Sequence, residues 1–497
     1  MSPLKFPREK LLNIVIPVLV ALVFFGFVFL FFPFREKLQF DVDEGFNLIR
    51  STLLSNGYPL YEQISSDQPP LFTYLLAGVI QTLGISVTPG RILVLLFSVL
   101  MVWSLAQIIQ FTWGSIHTIL LLPLLLFTPY YMQLSVSIMI GLPALAMASL
   151  SLLFLFLWHI YRRDYWLVLS GLSLGISVLI KLFTGFLAPI FLIGITTDQI
   201  FRSKNQGIST TWFRPGIIWG LSFGGFAIVL SMILVGPGNL MDIIQPHLTA
   251  DSVETFKIVR NTINYHLRGF LPFGILGLLG VLFTIFNKRW LTLYLVFWAL
   301  TAYLLLNSYS PVWYHQQLLV SIPVVMLGSI AAGEGVIWLA NLPQSKNFLG
   351  IQAGLSILAL IGLLFLTFNS YPQFKREIYK RPRLSGFEVK APQHKLNVYL
   401  IMREYASRTN WVVTDMPLYA FLIRKPVPPN LATFSEKRLN TGSLTEEEIL
   451  DTVKKYKPEQ VLLVFFEFDN LEEYLNQNYN LVHKNRGYRL YIRKDLD

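Results

Sequence analysis

No cysteine occurs among the 497 residues. Disulfides, thiolate nucleophiles and cysteine metal sites are therefore excluded, and cysteine usage gives no clue to compartment. Charge is scarce too: Asp, Glu, Lys and Arg make up 14% of the chain, against 54% hydrophobic residues. A water-soluble reading fails on that balance, because the apolar runs are longer than a soluble core helix needs. Acids are the rarer sign, 29 against 40 basic residues, for a formal charge of +11. The basic excess forms no nucleic-acid-binding tract. It is scattered over short loops such as "YRRD" (161–164), "FRSKNQG" (201–207) and "NKR" (287–289), the pattern of a positive cytoplasmic face. Internal repeats and low-complexity tracts are lacking as well.

What is present is a series of membrane spans. The first, Leu11 to Phe32, follows Lys5, Arg8 and Lys10, which hold the N-terminus in the cytoplasm. It is too long for a signal-peptide core and has no small-residue cleavage site, so it is expected to remain as an anchor. Ten more candidates lie near 91–112, 117–133, 139–160, 166–180, 183–199, 216–236, 269–286, 290–306, 317–340 and 348–369. The segment Pro69 to Gly84 would be roughly 24 Å long as a helix, short of a hydrocarbon core of about 30 Å. If it crossed, the three basic loops would all lie outside. Laid along the outer surface, it leaves all of them inside.

The sequence therefore predicts a polytopic α-helical membrane protein with about 11 transmembrane helices, two outer juxtamembrane helices within residues 35–90, and a C-terminal extracytoplasmic domain. The membrane part is expected to span residues 1–370 and the tail 371–497. In the tail, "NWVVTD" and "QVLLVFF" read as buried strands and "YRLYIRK" alternates like a strand. "SLTEEEILDTVKKY" reads as a helix opened by a capping box from Ser443 to Glu446, and "NLEEYLNQNY" as a second helix. This α/β domain carries no catalytic or metal motif. The same outer side receives residues 128–141, 236–268 and 307–315.

Directly after the first span stands "FDVDEGFNLIRSTLLSNGYPL" (40–60), with three carboxylates where the chain leaves the membrane. Read as a helix, Val42, Phe46, Ile49 and Leu53 form a narrow apolar stripe, which predicts an interfacial helix lying on the membrane. Asp41 suits the N-cap, Glu44 its capping-box partner, and Asn56-Gly57 the C-terminal stop. Asp43 remains, sharing a polar flank with Asn47 and Arg50. It is either an acid complementing the helix dipole or a general base at the membrane surface.

The order of a first span, an Asp-Glu pair opening an amphipathic helix, and "SDQPPLFTYLL" opening a second surface helix resembles the GT-C class of membrane glycosyltransferases. It is most similar to the lipid A aminoarabinose transferase and protein O-mannosyltransferase group, most specifically over residues 40–90. The resemblance extends more loosely to "GLSLGISVLIKLFTGFLAP" and "WVVTDMPLYAFLIRKPVPP". It implies a glycosyltransferase that takes a sugar from a polyprenyl-phosphate carrier and passes it to a lipid, glycan or protein acceptor. The setting it implies is the outer side of the plasma (inner) membrane, with Asp43 as the catalytic Asp and Glu44 its neighbour. A single inverting step follows from one visible base and no second nucleophilic carboxylate. Before the Pro-Pro pair, relatives commonly carry Lys or His as a phosphate contact; here Gln68 stands there, preceded by Asp67. Near Gly141 relatives often place a second acid, and here there is none.

Substrate contacts are then expected from Asp67, Gln68, Lys181, Arg260, Arg268 and His315, with the phosphate falling to Gln68, Lys181, Arg260 or Arg268. Lys181 serves equally as an interfacial anchor, and the two arginines as a solvated face. His247, His266 and His315, with Asp67, could in principle gather on a divalent metal, but no spacing such as His-x-x-x-His indicates one. Tyr314 and His315 also suit an interfacial belt, although relatives often have a His-Tyr pair at that point. The rival from another class is a transporter or flippase for a lipid-linked glycan. That would call for ionisable groups in mid-span or paired broken helices, and these spans are nearly free of charge.

Overall fold

The computed structural model describes residues 8–206, 213–241, 243, 245, 259–341, 350–380 and 391–496. Among the described residues, nine helices are long and apolar enough to cross a membrane: Leu11–Phe31, Val87–Thr112, Gly141–Tyr161, Leu182–Ser203, Arg214–Leu234, Arg268–Phe286, Trp290–Asn307, Tyr314–Asn341 and Ile351–Glu377. Helix is the form such runs must take, since lipid offers no partner to an unpaired backbone N–H or C=O. Ser115–Phe127 and Asp164–Ile180 are shorter apolar helices at the two other places where crossings are expected. Gly141–Tyr161 and Tyr314–Asn341 lie deepest in the bundle, whereas Arg214–Leu234 and Ile351–Glu377 are peripheral.

Successive helices reverse direction, so polar loops collect at two ends. At one end Arg162 pairs with Asp198, Arg214 with Asp164 (2.9 Å), and His159 meets the hydroxyl of Tyr294 (3.0 Å). Residues 161–164 and 201–202 belong to this end. At the other end four segments interlock. The Asn47 amide donates to the Ile138 carbonyl (2.8 Å), Gln133 to the Phe40 carbonyl (3.3 Å), and the Val312 N–H to the Asn261 carbonyl (2.8 Å).

The C-terminal domain sits over this second end. Its sheet runs in the order β1 (Val412–Thr414), β2 (Gln460–Leu463), β4 (Tyr488–Arg493), β3 (Tyr479–Asn485), with β1 parallel to β2 and β4 antiparallel to both neighbours. The β3 strand is absent from the sequence expectation. Its marker is the two-residue turn Arg486-Gly487, both at positive φ, which closes a hairpin. Alternation splits the strands between two cores. Val413, Val461, Leu463 and Tyr491 face the Glu446–Tyr456 and Asp469–Asn478 helices, while Val412, Leu462, Leu490 and Ile492 face the other way. The capping box lies two residues later than expected: Thr445 and Glu448 bond reciprocally, at 3.2 and 2.9 Å. Glu446 instead accepts the N–H groups of Asn470 and Leu471, tying the first turn of the next helix to this one.

The second core corrects a further expectation. Leu48, Ile49 and Leu53 of the Val42–Ser55 helix pack with Leu418, Tyr419 and Phe421 of the C-terminal domain, so the apolar stripe is covered by protein rather than by lipid. Residues 44–53 are all buried. An apolar stripe reports that a face is buried, and not by what. The second surface helix, Leu71–Leu83, does keep an exposed apolar face at Tyr74, Leu75 and Leu83, the composition of a lipid-facing surface.

Gly45 sets how closely the two domains approach. A Cβ at this position would lie 2.5 Å from the Leu418 backbone nitrogen. Gly45→Val should therefore force the Pro417–Leu422 helix away and destabilise the protein by about 1–3 kcal/mol. Gly26→Val is the control, since nothing lies within 4 Å of its Cβ position. Thermal unfolding of both purified variants, read by tryptophan fluorescence, checks this. A Gly45 variant as stable as the Gly26 one would contradict the packing.

Candidate active site

The site is built on the first turn of the Val42–Ser55 helix. Asp41 is its N-cap and accepts the Asp43 N–H (2.9 Å), as expected. Its other oxygen accepts the Tyr314 hydroxyl (2.7 Å), which in turn accepts the Gln133 amide (3.1 Å). Asp41 thus joins the helix start to residues 128–141 and to the loop before the Tyr314–Asn341 span.

Glu44 departs from its expected place. It is fully buried; its oxygens accept from Arg91 Nε (3.0 Å) and Nη2 (2.8 Å), from the Phe40 N–H (2.8 Å) and from the Ile138 N–H (3.2 Å). It reaches back to Phe40, not to Asp41, so no capping box forms. With both oxygens committed it cannot take a proton from a substrate, and the catalytic reading of Glu44 gives way to an anchoring one. Arg91, 2% exposed, completes the anchor by donating to the carbonyls of Phe34, Lys37 and Leu38.

Asp43 is packed deeply yet remains partly open to solvent. Burial, and next the neighbouring Asp41 carboxylate, push its pKa up to about 7, with Lys181 and Arg50 opposing. Lys181 links the Asp164–Ile180 helix to the Leu182–Phe186 turn. Burial brings its pKa down to about 8, with the Asp43 carboxylate opposing. A Cβ on Gly141 would lie 3.6 Å from Lys181 Nζ, so the ammonium lies close to the position where the GT-C resemblance leads to the expectation of a second acid. Asn47 and Arg50, the polar flank read from the sequence, face the same interior: Arg50 donates to Ser66 Oγ (2.9 Å) and to Asn47 Oδ1 (2.6 Å).

The remaining candidates divide. Asp67 joins the cluster, its charge acting on Asp43, Arg50 and Lys181. Gln68 follows it, with its carbonyl accepting from the Tyr61 hydroxyl (2.7 Å). His315 lies within electrostatic reach of Lys181 and His266, and His266 meets the Val312 carbonyl at 2.9 Å. Arg260 and Arg268 are exposed. Arg268 lies over the Tyr265 ring at 4.9 Å, and neither arginine ranks among the charges acting most strongly on Asp43 or Lys181. His247 lies outside the described residues. Among the described residues no group of three or more His, Asp or Glu side chains is arranged to hold a metal.

Two participants escape the sequence reading. Arg91 is foreshadowed only by a charge in the first turn of an otherwise apolar span. Lys437 comes from the C-terminal domain, which was expected to carry no functional motif; its Nζ lies 2.9 Å from Asp67 Oδ2. Nothing local to "FSEKR" marks it, because its partner is 370 residues away.

The anchor generates a stability prediction. Arg91→Ala leaves the Glu44 carboxylate buried without its cation, a change that costs about 3–5 kcal/mol. The variant should lose most of its folded yield, measured by size-exclusion chromatography after extraction. Wild-type yield and unfolding temperature would argue against the buried pair.

A family model described as dolichyl-phosphate-mannose-protein mannosyltransferase matches residues 67–222. A comparison with curated protein sequences gives no match. Among solved structures the chain is similar to ArnT from Cupriavidus metallidurans bound to undecaprenyl phosphate, with 12% identity, TM-score 0.58, and coverage of 96% of this chain and 97% of that one. The apo state of the same protein gives 13% identity, TM-score 0.59 and the same coverage. The Archaeoglobus fulgidus oligosaccharyltransferase in its apo form is similar at 12% identity and TM-score 0.50, over 93% of this chain and 70% of that one. The chain thus shares its fold with these solved membrane proteins over nearly its whole length, and residues 67–222 are similar to the mannosyltransferase family model.

Proposed function

We propose that the protein transfers a sugar from a polyprenyl-phosphate-linked donor to an acceptor hydroxyl or amine at the extracytoplasmic face of the plasma (inner) membrane, with Asp43 as general base. The observation that carries this reading is Asp43 itself. It is a partly solvent-open carboxylate held near neutrality, beside the Lys181 ammonium, where four loops and a second domain meet above the bundle. The undecaprenyl phosphate bound by the similar ArnT supports a lipid phosphate as the leaving group.

Asp43 accepts the proton of the acceptor O–H or N–H as the acceptor's lone pair forms a bond to the anomeric carbon. The bond from that carbon to the phosphate oxygen breaks, and its electron pair leaves with the polyprenyl phosphate. The departing oxygen gains negative charge, which Lys181 stabilises through a charge-assisted hydrogen bond. The displacement is a single inverting step, because Glu44 is committed to Arg91 and Asp41 to the helix cap and Tyr314. Asp41 keeps Asp43 basic: a second negative charge nearby makes loss of the Asp43 proton costlier and its recapture from an acceptor more favourable.

The proton bookkeeping fixes a pH dependence. Asp43 acts as base only when ionised, so kcat/KM should rise with pH up to about 7. Lys181 acts only when charged, so kcat/KM should fall above about 8. Asp43→Asn removes the proton acceptor and should lower transfer roughly a hundredfold to ten-thousandfold, while the protein still inserts and binds carrier lipid. In cells lacking the protein, the unused lipid-linked donor should accumulate. Mass spectrometry of membrane lipids identifies that donor, and restored wild-type but not Asp43→Asn protein should clear it. Clearance by both would remove Asp43 as the base.

The sidedness is tested separately. A reporter active only in the cytoplasm, fused after Asp497, should be silent, because the basic loops at 161–164, 201–207 and 287–289 are placed inside. An active reporter would invert the topology and put the site on the wrong side for this reading.

A further inference from the structure

We infer that the C-terminal domain supplies a working part of the donor site: Lys437 is a second cation for the donor's phosphate, held in readiness by Asp67. This rests on the proposed lipid-phosphate donor and adds to it a residue from a different domain. The Glu436–Asn440 helix that carries Lys437 is fixed to the membrane part by two contacts. The Thr433 hydroxyl donates to the Ser65 carbonyl (2.8 Å), and Lys437 Nζ pairs with Asp67 Oδ2 (2.9 Å). Its base is rigid: the Arg438 guanidinium donates to the carbonyls of Asn430, Thr433 and Ser443, and the Ser435 hydroxyl caps the first turn.

Both partners of the pair are mostly buried, with side chains 16% and 12% exposed. An exposed rim pair would be worth little, but a pair this enclosed keeps its charges unscreened and close to the reacting groups. The charge of Lys437 is felt at Lys181, and that of Asp67 at Lys181 and Asp43. Two ammonium groups from different domains therefore lie within electrostatic reach of each other, with Asp67 joining Lys437 to the surroundings of Asp43. A phosphate monoanion or dianion is the ligand class such a pair fits, since each lysine acts as a point charge toward a separate oxygen. Gln68, beside Asp67, is neutral, so the cation for this side of the site arrives from above rather than from the Leu71–Leu83 helix. Before the donor binds, Asp67 occupies Lys437; when the phosphate arrives it competes with Asp67 for the ammonium.

The test is a double-mutant cycle on full-length protein in nanodiscs, with undecaprenyl phosphate as the probe and uncharged polyprenol as control. Lys437→Ala should weaken undecaprenyl phosphate binding tenfold or more and leave polyprenol binding unchanged, and Lys437→Arg should retain most of the affinity. Asp67→Asn should tighten phosphate binding severalfold, and that gain should vanish in the Asp67→Asn, Lys437→Ala double variant. A purely structural pair gives another pattern: both single variants lower the unfolding temperature equally, and the two changes on phosphate affinity do not couple. That result would overturn the inference, as would a Lys437→Ala affinity within threefold of wild type while Lys181→Ala is weakened. If Lys181→Ala also leaves the affinity unchanged, the lipid-phosphate reading itself fails, and this inference falls with it.

Discussion

The ion pair between Glu44 and Arg91 is the constraint on which the rest of this end of the molecule depends. Burying two charges costs several kcal/mol per ion, and only a full set of hydrogen bonds offsets it. Here the set is supplied by backbone: two N–H groups serve Glu44, and three carbonyls from residues 34–38 serve Arg91. Those backbone groups belong to the end of the first span, the linker to the surface helix and residue 138. One buried pair therefore fixes where the first span stops, where the surface helix starts and where residues 128–141 pass beneath it.

That fixation explains how two adjacent acids come to differ. Glu44 points into the anchor, whereas Asp43, one residue earlier and about 100° round the helix, lies within electrostatic reach of Lys181, Arg50 and Asp67. The same rotation that buries Leu48, Ile49 and Leu53 against the C-terminal domain turns Asn47 and Arg50 inward, toward Ile138 and Ser66. Charge then follows geometry. Lys181 enters from a break between two apolar helices, the one kind of place within such a bundle where a lysine finds a carboxylate instead of lipid.

Much of this was legible in the chain. Apolar length located the spans because lipid imposes it, and the stripe and polar flank of residues 42–56 gave the helix, its cap and its inward-facing residues. The GT-C resemblance put Asp43 forward as the candidate base of the proposed reaction. Three things were not legible, for physical reasons. Helical periodicity reports a buried face without naming what buries it, so the cover on the Val42–Ser55 helix was assigned to lipid. A charge such as Arg91 at a helix start reads as an interfacial residue until its five hydrogen bonds are seen. The pairing of Asp67 with Lys437 joins groups with no local signature, and only tertiary structure brings them together. The β3 strand could have been read, since Arg486-Gly487 between two alternating runs is a hairpin signal.

The close approach of Gly45 to Leu418 also bears on how the protein is made. At synthesis rates of about 5–20 residues per second, a separation of 370 residues, like that between Asp67 and Lys437, corresponds to a delay of roughly 20–75 s. For that time the Val42–Ser55 helix has left the ribosome without its final cover. A stripe of Val42, Phe46, Ile49 and Leu53 can rest on the bilayer surface in the interval, as an amphipathic helix does. The missing side chain at position 45 leaves the late-arriving domain room to settle onto a helix already in place.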